Sequence, residues 1–146
     1  MKRLLFLLLC VAAVHTASKA GDDRPVSFEQ LPAESRQMIE KHFPNQSAAL
    51  VKMECDLMEV SYEVIFTSGS KVEFDRKGFW KEINCKYTEV PAGIVPEQIT
   101  DYVRKNYPAL KITGIEKKSR RRHEVKLQNG LELEFDAHFN LIDIDD

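Results

Sequence analysis

Two stretches of this chain carry the same alternating pattern, 61 residues apart. In the first, Tyr62, Val64 and Phe66 alternate with Glu63, Ile65 and Thr67, the period of two expected of a strand with one buried face. Ser68-Gly69-Ser70 reads as a turn, and Val72 and Phe74 then alternate with Lys71, Glu73 and Asp75. Asp75-Arg76-Lys77-Gly78 turns again into Phe79-Trp80-Lys81-Glu82-Ile83, giving a three-strand antiparallel meander. In the second stretch, His123-Glu124-Val125 falls over Tyr62-Glu63-Val64, Gly130 over Gly69, Leu133-Glu134-Phe135-Asp136 over Val72-Glu73-Phe74-Asp75, and Ile144 over Ile83. A chain that writes one meander twice is expected to fold as a tandem repeat.

Helical patterns precede both meanders. Ser27 to Phe43 has Pro32 near its start, Met38, Ile39, His42 and Phe43 on one side, and Pro44 at its end. Pro96 opens the matching segment, Ile99, Tyr102, Val103 and Tyr107 form its apolar stripe, and Pro108 closes it. A further strand is expected over 50–55 and over 111–117. The fold class is therefore α+β: two units, each a helix plus a four-stranded antiparallel sheet, over 21–85 and 96–146, joined by a connector at 86–95. A unit of about sixty residues buries little core alone, so the two are expected to pack as one domain.

Residues 1–20 stand apart from that body. Lys2 and Arg3 precede an apolar run from Leu4 to Val14, and Ser18-Lys19-Ala20 offers small residues before Gly21, the pattern of a secretory signal peptide. A lipoprotein signal using Cys10 is disfavoured, because Leu7-Leu8-Leu9 lacks the small residue expected before a lipidated cysteine. Without Lys2, Arg3 and Lys19 the chain has 18 basic and 23 acidic residues, a net charge of −5. That balance argues against a general nucleic-acid binder. Gly21 to Val26 reads as a flexible N-terminus, and no second long apolar run follows, so no transmembrane segment is expected after cleavage.

Alternation also sorts the two sheet faces. Tyr62, Val64, Phe66, Val72, Phe74 and Ile83 are expected under the first helix. Val125, Leu127, Leu131, Leu133, Phe135, Ile142 and Ile144 are expected under the second. The opposite face, with Glu63, Ile65, Lys71, Glu73, Trp80, Glu82, Glu124, Glu132, Glu134 and Leu141, is left open to water or a partner.

The helix ending on Leu31, Pro32, Ile39, Phe43 and Pro44, followed by YEVxFxxGxxVEFDxxGxWKEI from Tyr62 to Ile83, resembles the PepSY-like, beta-lactamase-inhibitor-like family of bacterial periplasmic proteins. In the second unit Phe139 stands where that pattern has glycine, and Leu141 where it has tryptophan. The resemblance implies tandem α-β4 units in the periplasm of Gram-negative bacteria. It implies no catalytic motif, since a shared fold does not fix function.

The sequence contains no HExxH, CxxC, GxSxG or phosphate-cradling glycine loop, so no catalytic residues, cofactor or metal are assigned. Zinc held by Cys55, Cys85 and a histidine is disfavoured, because zinc ligands come in closer pairs. A Cys55–Cys85 disulfide suits the compartment, but a simple meander puts the two at opposite sheet ends. The expected function is a non-enzymatic periplasmic or secreted protein that engages a protein partner of the cell envelope through the open face, inhibition of an enzyme being one version. Trp80, Ile65, Glu73, Lys71 and Leu141 are the candidate contacts. Trp80 is either an interface anchor or a structural ring, lying on lysine stems or buried by a strand irregularity after Gly78. The alternative function is binding of a small molecule or an anionic lipid or glycan, with Arg120, Arg121 and Arg122 as contacts; the plainer reading of that run is a solvated hairpin end.

N-terminal sequencing of the exported protein is expected to begin at or near Gly21. A product beginning at a lipidated Cys10 would overturn the leader assignment.

Overall fold

The computed structural model describes residues 21–146, so the leader assigned to residues 1–20 lies outside the described residues. Nine strands form one sheet in sequence order: β1 (Arg24–Pro25), β2 (Ala48–Asp56), β3 (Glu59–Phe66), β4 (Lys71–Phe74), β5 (Trp80–Asn84), β6 (Ile112–Lys117), β7 (His123–Leu127), β8 (Glu132–Phe135) and β9 (Leu141–Asp145). Every neighbouring pair is antiparallel. Helix α1 (Ala33–His42) precedes β2, and α2 (Glu97–Asn106) lies in the connection from β5 to β6. Each helix is thus followed by four strands, and pairing of Ile83 with Ile115 carries the sheet across the junction.

Both helices cover the same sheet face. Leu31, Ser35, Ile39 and Phe43 recur every four residues and are buried along one side of the α1 segment. Phe43 stacks on Phe66 at 5.0 Å between ring centroids, and Tyr102 of α2 meets Phe135 edge-on at 5.4 Å. Val64, Val72, Phe74, Ile83, Val125, Leu127, Leu133 and Phe135 join them in one continuous apolar cluster. The core runs unbroken beneath both helices.

Gly78 explains how closely α1 approaches. Its φ is +93°, and a Cβ there would lie 2.7 Å from the Pro32 Cβ and 2.8 Å from the Ser35 hydroxyl oxygen. The buried Ser35 hydroxyl donates to the Gly78 carbonyl at 3.1 Å, tying the helix start to the β4–β5 turn. At the matching position of the second half, Phe139 adopts φ 63° and lays its ring 5.7 Å from that of His123.

The structure corrects the expected faces in two places, for one reason. The register slips between Glu73 and Phe74 opposite β5, so Phe74 pairs with Trp80 while Glu73 pairs with Glu82. The extra residue is Lys81, a β-bulge, and it moves Trp80 to the helix-covered side with Phe74. The same slip opposite β9 pairs Phe135 with Leu141 and Glu134 with Asp143. Leu141 therefore also turns toward the core, and the intervening Ile142 becomes an exposed bulge residue. Ile144, opposite Leu133 as expected, remains exposed because β9 is the last strand and nothing covers its outer edge. Gly21 to Val26 is also not free: Arg24 pairs with Met53, and the Val26 N–H donates to the Val51 carbonyl, so this segment covers the β2 edge.

Phe74→Ala and Phe135→Ala remove equivalent fully buried rings, and each is expected to cost about 3–5 kcal/mol in denaturant unfolding. Gly78→Ala is expected to destabilise through strain at positive φ and the clash with Pro32. Wild-type midpoints for all three would refute this packing.

Candidate functional site

The uncovered sheet face is organised by register. One row of directly opposed residues runs Lys52, Glu63, Glu73, Glu82, Glu116, Glu124, Glu134 and Asp143, from β2 to β9. Like charges placed opposite one another destabilise a sheet, so cations beside the row must offset the repulsion. Lys52 Nζ lies 3.1 Å and Lys71 Nζ 3.2 Å from the two oxygens of Glu63. Lys81 reaches Glu73 at 3.2 Å, and Lys118 reaches Glu116 at 2.9 Å and Glu124 at 3.3 Å. Arg122 Nη1 is 2.7 Å from Glu134 Oε1, an ion pair without hydrogen-bond alignment.

These pairings set the titration of the row. Burial alone pushes the Glu63 carboxyl up, and the hydrogen bonds from Lys52 and Lys71 outweigh it, holding Glu63 below the ordinary carboxylate range. Hydrogen bonds from Lys52 to Glu54 and Glu63 raise the lysine in turn. Glu82 is the contrary case. It has no ion pair among the described residues, and burial together with Glu116 and Glu73 pushes its carboxyl up against the pull of Lys71 and Lys118. Beside it, Gly114 leaves a shallow depression of about 130 Å³ lined by Glu82, Glu116, Glu124, Lys126 and Glu132. Among the described residues no group of three or more His, Cys, Asp or Glu side chains is placed to hold a metal ion.

The sequence-predicted contacts separate on this frame. Glu73 and Lys71 lie on the open face, within the ion-paired row. Ile65 is half-buried there and pairs directly with Leu50, which is 40% exposed; alternation of Val51, Met53 and Cys55 with Lys52, Glu54 and Asp56 is the sequence signal that puts Leu50 on this face. Trp80 and Leu141 lie on the helix side. The Lys117 ammonium sits 3.7 Å above the Trp80 ring. Although Lys117 as a residue is exposed, burial of its ammonium lowers its pKa, and Asp75 acts in the opposite sense. His123 lies close by, its Nδ1 buried without a partner and its pKa lowered by burial and by Lys117. The arginines also divide: Arg122 folds back to Glu134, whereas Arg120 and Arg121 project from the turn at φ 59° and 60°. Cys55 and Cys85 are both free thiols, the second buried and shifted upward by that burial.

The comparisons agree with this architecture. The family model described as beta-lactamase-inhibitor-like, PepSY-like matches residues 60–143. A candidate calcium-regulated periplasmic protein of Bacteroides thetaiotaomicron is 51% identical, with a TM-score of 0.83 over 86% of this chain and 98% of its own. Two candidate periplasmic proteins of Bacteroides vulgatus are 50% and 37% identical, with TM-scores of 0.82 and 0.80, covering 87% and 85% of this chain and 99% of each of theirs. No curated protein matches the sequence. No helix of the described residues is long and apolar enough to cross a membrane.

Glu63 and Glu82 are expected to behave oppositely. The Glu63 pairing stabilises the fold above the ordinary carboxylate range and is lost as pH falls through its depressed pKa, so Glu63→Gln is expected to cost about 1–2 kcal/mol at pH 7. Glu82 binds its proton more tightly when folded, so stability falls as pH rises from the ordinary carboxylate value through its raised pKa. Glu82→Gln is expected to gain about 0.2–1 kcal/mol at pH 7, with the gain vanishing below about pH 4. Urea melts at both pH values check the signs.

Proposed function

This chain belongs to the PepSY-like, beta-lactamase-inhibitor-like family, and from that premise we propose that it is a non-enzymatic cell-envelope protein that binds a protein partner across its open sheet face. The observation that carries the reading is the Leu50–Ile65 pair. The acidic and basic groups around it largely satisfy one another, and exposed ion pairs contribute only about 0–1 kcal/mol to affinity. A directly opposed apolar pair on that face offers surface to desolvate, and its neighbours Lys71 and Glu63 supply polar complementarity at its rim. The periplasmic descriptions of the structural relatives support an envelope location. We read the two helix-plus-four-strand halves as a tandem repeat joined into one binding surface.

The main reading is tested by capture of a partner from envelope extract. Leu50→Ser with Ile65→Ser is expected to weaken capture by more than about 2 kcal/mol at an unchanged melting temperature. Trp80→Ala is expected to lower the melting temperature, because its ring packs on the core side. Capture that survives the Leu50 and Ile65 changes would remove the open face from the function.

A further inference from the structure

In a sequential antiparallel sheet every second turn emerges from the same end. The β2–β3, β4–β5, β6–β7 and β8–β9 turns therefore share one end, while the β3–β4 and β7–β8 turns share the other. At the β3–β4 and β7–β8 end, Gly69 and Gly130 take the positive φ values of 84° and 94°, which glycine adopts without strain. At the other end Gly78 takes φ 93° in the β4–β5 turn and Phe139 takes 63° in the β8–β9 turn, but the left-handed positions of the β2–β3 and β6–β7 turns are filled by Leu57 at φ 49°, Arg120 at 59° and Arg121 at 60°. Side chains disfavoured by the turn stand where the backbone would prefer Gly or Asn.

Leu57, Arg120 and Arg121 are exposed and lie outside the apolar core. Leu57 is 87% and the adjoining Met58 96% exposed, and Phe79 on the neighbouring turn is 53% exposed. Arg76, Lys77, Arg120 and Arg121 are exposed and have no ion pair among the described residues, unlike the lysines of the open face. Of the acids at this end, Glu59 meets Lys81 at 3.4 Å, Asp75 accepts the Lys77 and Phe79 N–H groups, and Asp136 accepts the His138 and Asn140 N–H groups. Asp56, beside Leu57, is exposed with no ion pair among the described residues, so the cations outnumber the acids left uncommitted. The turns are neighbours in space: Leu57 and Met58 line one depression with Arg76 and Lys77, and Lys117 beside the third turn lies over Trp80 at the second. At about 4.8 Å between strands, the first three of these tips spread over roughly 20 Å.

We propose that this sheet end docks on an anionic phospholipid bilayer, with Leu57 and Met58 entering the interface and Arg76, Lys77, Arg120 and Arg121 meeting lipid phosphates. A chain with an acidic body gains no general attraction to such a surface, so the local cations must supply it. Apolar side chains that protrude singly between cations suit a yielding interface, whereas a protein hot spot needs a packed pocket that excludes water.

The test is flotation of the chain from Gly21 onward with vesicles of phosphatidylcholine containing about one-third phosphatidylglycerol, against phosphatidylcholine alone. Binding is expected to be at least about tenfold stronger to the anionic vesicles and to weaken with salt. Leu57→Asn with Met58→Ser is expected to reduce it about tenfold or more. Arg120→Gln with Arg121→Gln is expected to reduce both binding and its salt dependence, while Lys105→Gln on α2 changes neither. All these positions are exposed, and if one pair of changes unfolds the chain the other pair decides. Equal binding to neutral vesicles, no binding, or binding unchanged in both variant pairs overturns the proposal. So does full competition by inorganic phosphate, which would mark a soluble anion site, or retention only by an acidic protein. Leu50 and Ile65 lie outside this end, so their substitution separates this proposal from open-face binding.

Discussion

The β5–β6 ladder is the constraint on which the rest of the structure depends. Pairing of Glu82, Ile83 and Asn84 with Glu116, Ile115 and Gly114 turns two four-strand groups into one sheet. It buries Ile83 and Ile115 side by side, so the apolar cluster under α1 continues under α2. Without it each half would present an edge strand and a core too small to offset its chain entropy. Gly114 permits the close approach: a Cβ there would lie 3.3 Å from the Ile83 carbonyl oxygen.

The same ladder aligns acids across the open face. Register alone makes Glu63, Glu73, Glu82, Glu116, Glu124 and Glu134 cross-strand neighbours. The face tolerates them because Lys52, Lys71, Lys81, Lys118 and Arg122 reach in from flanking positions, one of them supplied by a bulge. Near Gly114, where one side chain is missing, the arrangement leaves Glu82 without an ion pair among the described residues. Its upward-shifted carboxyl is the local cost of joining the halves.

The covered face, the open face and the two sheet ends thus do different work. The covered face carries the apolar core, and the open face is a self-neutralising charged lattice with one apolar pair. The β3–β4 and β7–β8 turns carry glycine at positive φ, whereas the β2–β3 and β6–β7 turns at the other end place Leu57, Arg120 and Arg121 there. Structural duties and surface chemistry are separated because an antiparallel meander exposes each of these surfaces to a different set of sequence positions.

Eight of the nine strands, both helices, their order and most of the core are legible in the sequence; β1 is not, because two residues carry no alternation. Alternation at Tyr62–Phe66 and Val72–Phe74, and at Val125–Leu127 and Leu133–Phe135, needs no partner to be read. It also located Lys71, Glu73 and Ile65 on the face they occupy, and the Arg120–Arg122 run at a turn. The sides taken by Trp80, Leu141 and Ile142 were decided by tertiary structure. One extra residue in a strand, Lys81 or Ile142, puts Trp80 or Leu141 on the face opposite to the one that alternation from Ile83 or Ile144 predicts, and only the pairing partner reveals that slip. Pairing likewise gathered the carboxylate row from strands far apart in the chain, and edge position left Ile144 exposed. Periodicity is a property of one strand; which neighbour it meets, and at what register, belongs to the whole sheet.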